Sequence, residues 1–199
     1  MIFNRLPFLT CTATIVILFQ SAVFAVEPLN TTPVELKTGQ SLPVLDIESG
    51  GEISLSENNI IERPWSSKSL AGNGKLQLLQ YVAADRDAVR QNKPFTKALL
   101  KKQFSPDELD TTVIVNLADT MSFVKGIVFK KVAKRKASHQ ATNFVLDNEG
   151  VGLTRWGVKQ KSCAIILLDT NGKVLFAREG PMSELEIEQA IQLIEQRLS

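Results

Sequence analysis

Residues 75–92 read KLQLLQYVAADRDAVRQN, and the change of character inside this stretch decides the fold. Leu76, Leu78, Leu79, Tyr81 and Val82 form an apolar run of strand length, the pattern of a strand buried on both faces of its sheet. After the small residues Ala83 and Ala84 the chain becomes charged and helix-like from Asp85. From Asp87 to Phe104, Ala88, Phe95, Leu99 and Leu100 recur at helical spacing, and Pro94 predicts a break or a second helix start. The next apolar run, TTVIVNL at 111–117, is β-branched and continuous, so it reads as a second buried strand reached by a helical crossover. The stretch is therefore the core of a parallel βαβ unit.

Working outward, SLPVLDI (41–47), Ser49-Gly50-Gly51 and EISLS (52–56) predict a hairpin of two short strands about a glycine turn. A loop carrying Pro64 and Trp65 follows. Downstream of Asp119 lies TMSFVKGIVFKKVAKRKASHQ, then NFVLD (143–147), a turn at Asp147 to Gly150, and GLTRWGV. The two tryptophans read as packing residues, with Trp156 near a strand end. CAIILLD and KVLFAREG are joined through Asn171-Gly172, a pair that tolerates the positive φ of a tight antiparallel hairpin. SELEIEQAIQLIEQRL then offers a capping box, Ser183 with Glu186, and an apolar face of Ile187, Ala190, Ile191, Ile194 and Leu198.

The N-terminus sets an expectation about compartment. Arg5 supplies a positive n-region, residues 8–19 an apolar h-region, and Val23-Phe24-Ala25 a small-x-small cleavage signal. Residues 1–25 are read as a signal peptide, 26–38 as a tether or edge segment, and 39–199 as one domain. The h-region is shorter than the ~20 residues a spanning helix needs, so no stable membrane anchor is expected after cleavage. Cys11 lies before the end of the h-region and is not placed for lipidation. The chain has 23 Lys and Arg against 21 Asp and Glu, so bulk charge selects no partner. Of the two cysteines, Cys11 and Cys163, only Cys163 would survive cleavage, which excludes an intramolecular disulfide.

The order strand, helix, strand, helix, hairpin, terminal helix, with an extra N-terminal hairpin, resembles the thioredoxin-like fold, an α/β class with a central mixed sheet flanked by helices. More closely, GQSLP, LLQYVAADRDA, TTVIVNLADT, NFVLDNEGV and CAIILLDTNGKV resemble the bacterial YtfJ-like periplasmic family, whose biochemical role is undefined. The resemblance covers nearly the whole mature chain. It implies that the redox site of thioredoxin-like enzymes, a C-x-x-C at the start of the first helix, falls at Arg86-Asp87-Ala88-Val89, where no nucleophile stands. It also places the fold's usual cis-proline near Cys163, where the chain reads Ser162-Cys163-Ala164. Dithiol–disulfide exchange in the usual place is excluded, since the helix terminus has no thiol to activate.

The chemistry-bearing residues follow from this placement. Asp85, Arg86, Asp87, Asp119, Ser162 and Cys163 are the candidates to line a binding groove. Cys163 is read as a small core residue; the alternative is a single-cysteine redox enzyme or thiol sensor. Asp85, Asp87 and Asp119 read as helix caps rather than oxygen ligands to Ca²⁺ or Mg²⁺. His139 is the only histidine, which is too few nitrogen ligands for zinc, and no G-x-S-x-G elbow is present. Neither a metal nor another cofactor is expected. Lys125, Lys130, Lys131, Lys134, Arg135 and Lys136 form a basic run, read as a solvated helix face or as a patch for anionic envelope surfaces. The reading is an exported binding or interaction module whose partner is a periplasmic protein or envelope ligand, not nucleic acid.

Overall fold

The computed structural model describes residues 36–56 and 59–199, and their elements belong to one compact unit. The expected signal peptide and most of the expected tether lie outside the described residues. Seven strands form a single mixed sheet in the order β2-β1-β5-β4-β3-β6-β7. In chain order these are β1 (Asp46–Ser56), β2 (Asn59–Ser66), β3 (Leu76–Ala83), α1 (Arg86–Lys102), β4 (Leu109–Asn116), α2 (Ser122–Ser138), β5 (Thr142–Asp147), α3 (Val151–Trp156), β6 (Cys163–Leu168), β7 (Val174–Glu179) and α4 (Glu184–Leu198).

Every residue of β3 is buried, because the strand sits between parallel β4 and antiparallel β6 and is covered on both sides. The β3–β4 register pairs Gln80 with Val113 and the β4–β5 register pairs Val113 with Phe144, so these three side chains share one face of the sheet. On that face Phe95 and Leu99 of α1 and Ile187, Ala190, Ile191 and Ile194 of α4 pack over Leu76, Leu78, Ile165 and Leu167. Val128, Phe129 and Val132 of α2 cover Phe144 and Leu146 farther along the same face. The opposite face buries Leu79, Tyr81, Ile114, Val145 and Ile166 beneath Trp156 of α3, together with Leu45, Trp65 and Leu70. Each fully buried aliphatic side chain here contributes roughly 1.5–3 kcal/mol relative to exposure.

The hairpin and the terminal helix have the causes the sequence suggests. The β6–β7 pair turns at Asn171-Gly172, with Gly172 at φ 78. Ser183 Oγ accepts from Glu186 N while a Glu186 carboxylate oxygen accepts from Ser183 N, and of the apolar face of α4 Ile187, Ala190, Ile191 and Ile194 are buried and Leu198 half-buried.

Four expectations require correction. Gly50 and Gly51 do not turn the chain: β1 continues through them and pairs with β2 beyond residues 57–58. Between Ile47 and Glu52 β1 holds residues 48–51, where β2 holds only Pro64 between Trp65 and Arg63. This odd surplus makes a bulge that reverses the alternation, so Ile47 faces the Trp65 cluster while Ile53 faces α2. Only glycine fits there. Gly51 has φ +77, and a Cβ on it would lie 1.9 Å from the Arg63 carbonyl oxygen. Pro64 and Trp65 accordingly belong to a strand, β2, which is an edge strand where proline removes no ladder bond. Pro94 sits inside a continuous α1 on its exposed side. There the Arg90 carbonyl loses its helical donor but remains beside solvent. Finally, Trp156 ends the short helix α3 rather than a strand.

Candidate functional site

The C-terminal ends of β3, β4 and β5 and the start of β6 meet at one end of the sheet. They are stitched by backbone bonds: Ala84 N to Asn116 O (2.9 Å), Leu117 N to Asp147 O (2.8 Å) and Ala83 N to Ser162 O (3.1 Å). In a parallel sheet this is the end where helix N-termini expose unpaired N–H groups and where ligands collect. α1 starts here. Asp85 is its N-cap, extended at φ −118 and ψ 147, and its Oδ1 accepts from Asp87 N at 2.8 Å and Ala88 N at 3.4 Å. Asp85 is therefore used in capping. Asp87 is exposed and pairs with Arg90 at 2.8 Å, and Arg86 and Val89 also face solvent. Ala88 is fully buried.

Ala88 packs against Val82, Ala83 and Cys163. This contact places Cys163 directly beneath the first turn of α1, opposite Val82 in the strand register. Its side chain is turned inward: the residue is 1% exposed and Sγ approaches the Gly180 carbonyl oxygen at 3.6 Å. Burial, aided by the nearby Glu179 carboxylate, pushes the thiol above its ordinary pKa. A nucleophilic cysteine needs the opposite, an accessible and stabilised thiolate. Ser162 lies half-buried beside it, and its carbonyl accepts from Ala83. Of the three aspartates read as caps only Asp85 is one: Asp87 lies inside the first turn of α1, and Asp119 is exposed in the turn after β4 while α2 starts from Met121 with no side-chain cap. Among the described residues, no three His, Cys, Asp or Glu side chains are grouped so as to hold a metal ion.

A buried polar centre that sequence reasoning missed lies behind these residues. Asp147 is wholly buried at the end of β5, and its Oδ1 accepts from Val151 N while Oδ2 accepts from Gly152 N and from the Tyr81 hydroxyl, each at 2.9 Å. The carboxylate thus satisfies the first N–H groups of α3, whose preceding residue, Gly150, is left-handed at φ 71 and supplies no side-chain cap. Burial, reinforced by Asp147, drives the Tyr81 hydroxyl far above its ordinary pKa and keeps it a donor. The Tyr81 ring meets Trp156 edge-on at 6.0 Å and 72°, and Trp156 Nε1 donates to the Pro43 carbonyl at 2.8 Å. Arg155 Nε donates to the Val44 carbonyl at 2.9 Å. The only signal in the sequence was an aspartate opening a glycine-containing turn, which reads as a turn and nothing more.

On the helix face, an open groove of about 440 Å³ lies between α2 and the β1 bulge, lined by Ser49, Glu62, Lys125, Phe129, Asn148 and Glu149 among others. Two cations of the basic run are committed to backbone carbonyls. Lys125 Nζ donates to Asn148 O at 3.1 Å, and Lys136 Nζ donates to Gln140 O and Thr142 O at 2.9 Å. Lys130, Lys131, Lys134 and Arg135 are exposed and have no carboxylate partner among the described residues. His139 caps the C-terminus of α2 in solvent.

Comparison with known proteins adds family and fold. A family model described as a bacterial protein of unknown function (YtfJ_HI0045) matches residues 36–197. An uncharacterised protein of Haemophilus influenzae is 34% identical over 160 residues, covering 80% of this chain and 85% of that one. The uncharacterised protein YtfJ of Escherichia coli is 28% identical over 171 residues, covering 86% and 92%. Among solved structures, a thioredoxin-like superfamily protein superposes with TM-score 0.55 at 15% identity, over 80% of this chain and 96% of that one.

Proposed function

We propose that this chain, which belongs to the bacterial YtfJ_HI0045 family and has the thioredoxin-like fold, is an exported, non-redox binding module that uses the strand-end surface around the start of α1. One observation carries the reading: Ala88 and Cys163, at 0% and 1% exposure, close against each other under the first turn of α1. A redox enzyme of this fold needs an accessible thiolate at that turn and a second thiol to resolve the mixed disulfide. Here the exposed positions of the turn are Arg86, Asp87 and Val89, and the buried thiol is held protonated. What the start of α1 offers a partner is the exposed Arg86 and the Asp87 carboxylate, which faces Arg90 at 2.8 Å.

Two measurements test it. In an insulin-reduction assay the protein does no better than Cys163→Ser; turnover that depends on Cys163 without added thiol overturns the non-redox reading. In chemical-shift mapping against fractionated envelope extract, resonances of Arg86, Asp87 and Asp119 move with at least one fraction, and no movement with any fraction overturns the binding surface. The single-cysteine sensor is disfavoured by the same burial that carries the proposal. Export is the part that rests on Arg5, the apolar residues 8–19 and Val23-Phe24-Ala25. N-terminal sequencing of soluble periplasmic protein beginning at Val26 supports it, and a membrane-bound chain still beginning at Met1 refutes it.

A further inference from the structure

On the sheet face that also carries the glutamate-rich α4, helices α1 and α2 hold a positive charge that the whole chain conceals. α2 holds Lys125, Lys130, Lys131, Lys134, Arg135 and Lys136 and no carboxylate, in a chain whose net charge is only +2. α1, on the same face, adds exposed Lys93, Lys97 and Lys101, with Asp87 its only acid. These helices also expose apolar side chains that a solvated face does not need. Phe123 is 70% exposed, Ile127 50%, Leu100 59% and Val89 47%.

On α2 the two kinds of residue share one strip. Phe123, Ile127, Lys130, Lys131 and Lys134 follow at spacings of four, three, one and three, which puts them on one side of a helix of 3.6 residues per turn. The opposite side, with Val132 and Ala133, is buried. The outer strip therefore begins with a large aromatic and a β-branched side chain and continues as ammonium groups with no carboxylate partner among the described residues. Lys125 and Lys136, the cations bound to backbone carbonyls, are not part of it.

We infer that the outer strip of α2, supported by the exposed cations of α1, docks on the surface of an anionic phospholipid bilayer. Lysines beside a negatively charged leaflet gain from its surface potential, and an apolar group at the same strip gains by entering the headgroup–acyl boundary. Charge complementarity selects an anionic over a zwitterionic surface. An acidic protein partner fits less well, because the strip has no carboxylates to fix a register and no concavity to exclude a wrong partner. None of the described helices is long and apolar enough to cross a membrane, so the contact is peripheral.

The test is sedimentation with vesicles of phosphatidylglycerol and phosphatidylcholine, or of phosphatidylcholine alone, using protein expressed from the full chain. The expected result is binding to the anionic vesicles that falls as salt rises and is absent from the zwitterionic ones. Replacing Lys130, Lys131, Lys134 and Arg135 by Gln weakens it more than about tenfold, while replacing the three lysines by Arg preserves it. Phe123→Ser with Ile127→Ser also weakens it, with the charges intact. All these positions are exposed, and circular dichroism confirms that each variant keeps its fold. Equal binding to both vesicle types, or binding that survives the four Gln substitutions, overturns the inference. Capture of soluble polyglutamate without vesicle binding overturns it in favour of an acidic protein.

Discussion

The Tyr81 hydroxyl donates to Oδ2 of Asp147 at 2.9 Å, joining the centre of β3 to the end of β5 across β4. The same oxygen accepts from Gly152 N, so one buried carboxylate anchors a strand side chain and the start of α3 together. Trp156 at the far end of α3 then closes on the Tyr81 ring and on the Pro43 carbonyl. The binding surface proposed around α1 rests on a strand end held from behind by this centre.

Tyr81→Phe leaves the buried Asp147 carboxylate with one donor fewer, and the expected loss of stability is about 1.5–3 kcal/mol, read from denaturant midpoints near neutral pH. The pH dependence has a definite sign. Tyr81 has its pKa raised by burial and by Asp147, so its contribution is complete below the unfolded tyrosine value, about 10, and declines as pH rises above it. Tyr81 is the only tyrosine, so tyrosinate absorbance reports it without interference. The native protein shows no ionisation near pH 10 and ionises only on unfolding; a native tyrosinate signal at that pH contradicts the buried donor.

Gly152→Ala is expected to disturb this centre more directly. A Cβ at Gly152 lies 2.3 Å from Tyr81 Cε2, and the ring is held by Asp147 and Trp156 and has little room to yield. The expected cost is about 1–3 kcal/mol, accompanied by a change in tryptophan fluorescence as Trp156 shifts. Gly126→Ala is the control, because nothing lies within 4 Å of a Cβ there. Equal stability of the two variants disproves the close packing.

How much of this was legible follows the range of each cause. β3 announces itself because burial on both faces needs a continuous apolar run, and α4 because its cap and its apolar stripe are local. The β6–β7 turn is written in Asn171-Gly172. The β1 bulge is not, since a glycine pair serves a turn and a bulge equally; what decides is the backbone of Arg63 and Leu146 pressing on it. α3 has six residues, too few for a period, and its start is capped by an aspartate from the preceding strand. At the site, the packing of Cys163 under Ala88 and the Tyr81–Asp147 bond both depend on strand register across residues distant in the chain. The sequence names these residues but not their neighbours.

Cys163 offers a test of local burial. With the thiol pushed up by burial and by Glu179, alkylation of the native protein is slow at pH 8 and becomes fast only in denaturant. Cys163→Ala removes one buried sulfur from a small pocket and is expected to cost about 1 kcal/mol. Rapid alkylation of the folded protein at pH 7 shows instead an accessible thiolate, and with it a different geometry at the start of α1.

The start of α4 gives a pH dependence of the opposite sign to that of Tyr81. Glu186 is held below the usual carboxylate range first by the backbone N–H of Ser183, then by the Ser183 hydroxyl and Arg178. Its contribution is present above the unfolded glutamate value, about 4.3, and is lost as pH falls through the lower folded value. Ser183→Ala removes the hydroxyl that accepts from Glu186 N, with an expected cost of about 0.5–2 kcal/mol at neutral pH. Glu186→Gln retains an acceptor for Ser183 N but loses the charge that Arg178 faces at 2.7 Å. The difference between wild type and Glu186→Gln should therefore be full at pH 7 and smaller at about pH 3, below the unfolded glutamate value of about 4.3. Denaturant midpoints measured at both pH values decide the matter, and a difference that persists unchanged in acid assigns the stabilisation to packing rather than to the capping carboxylate.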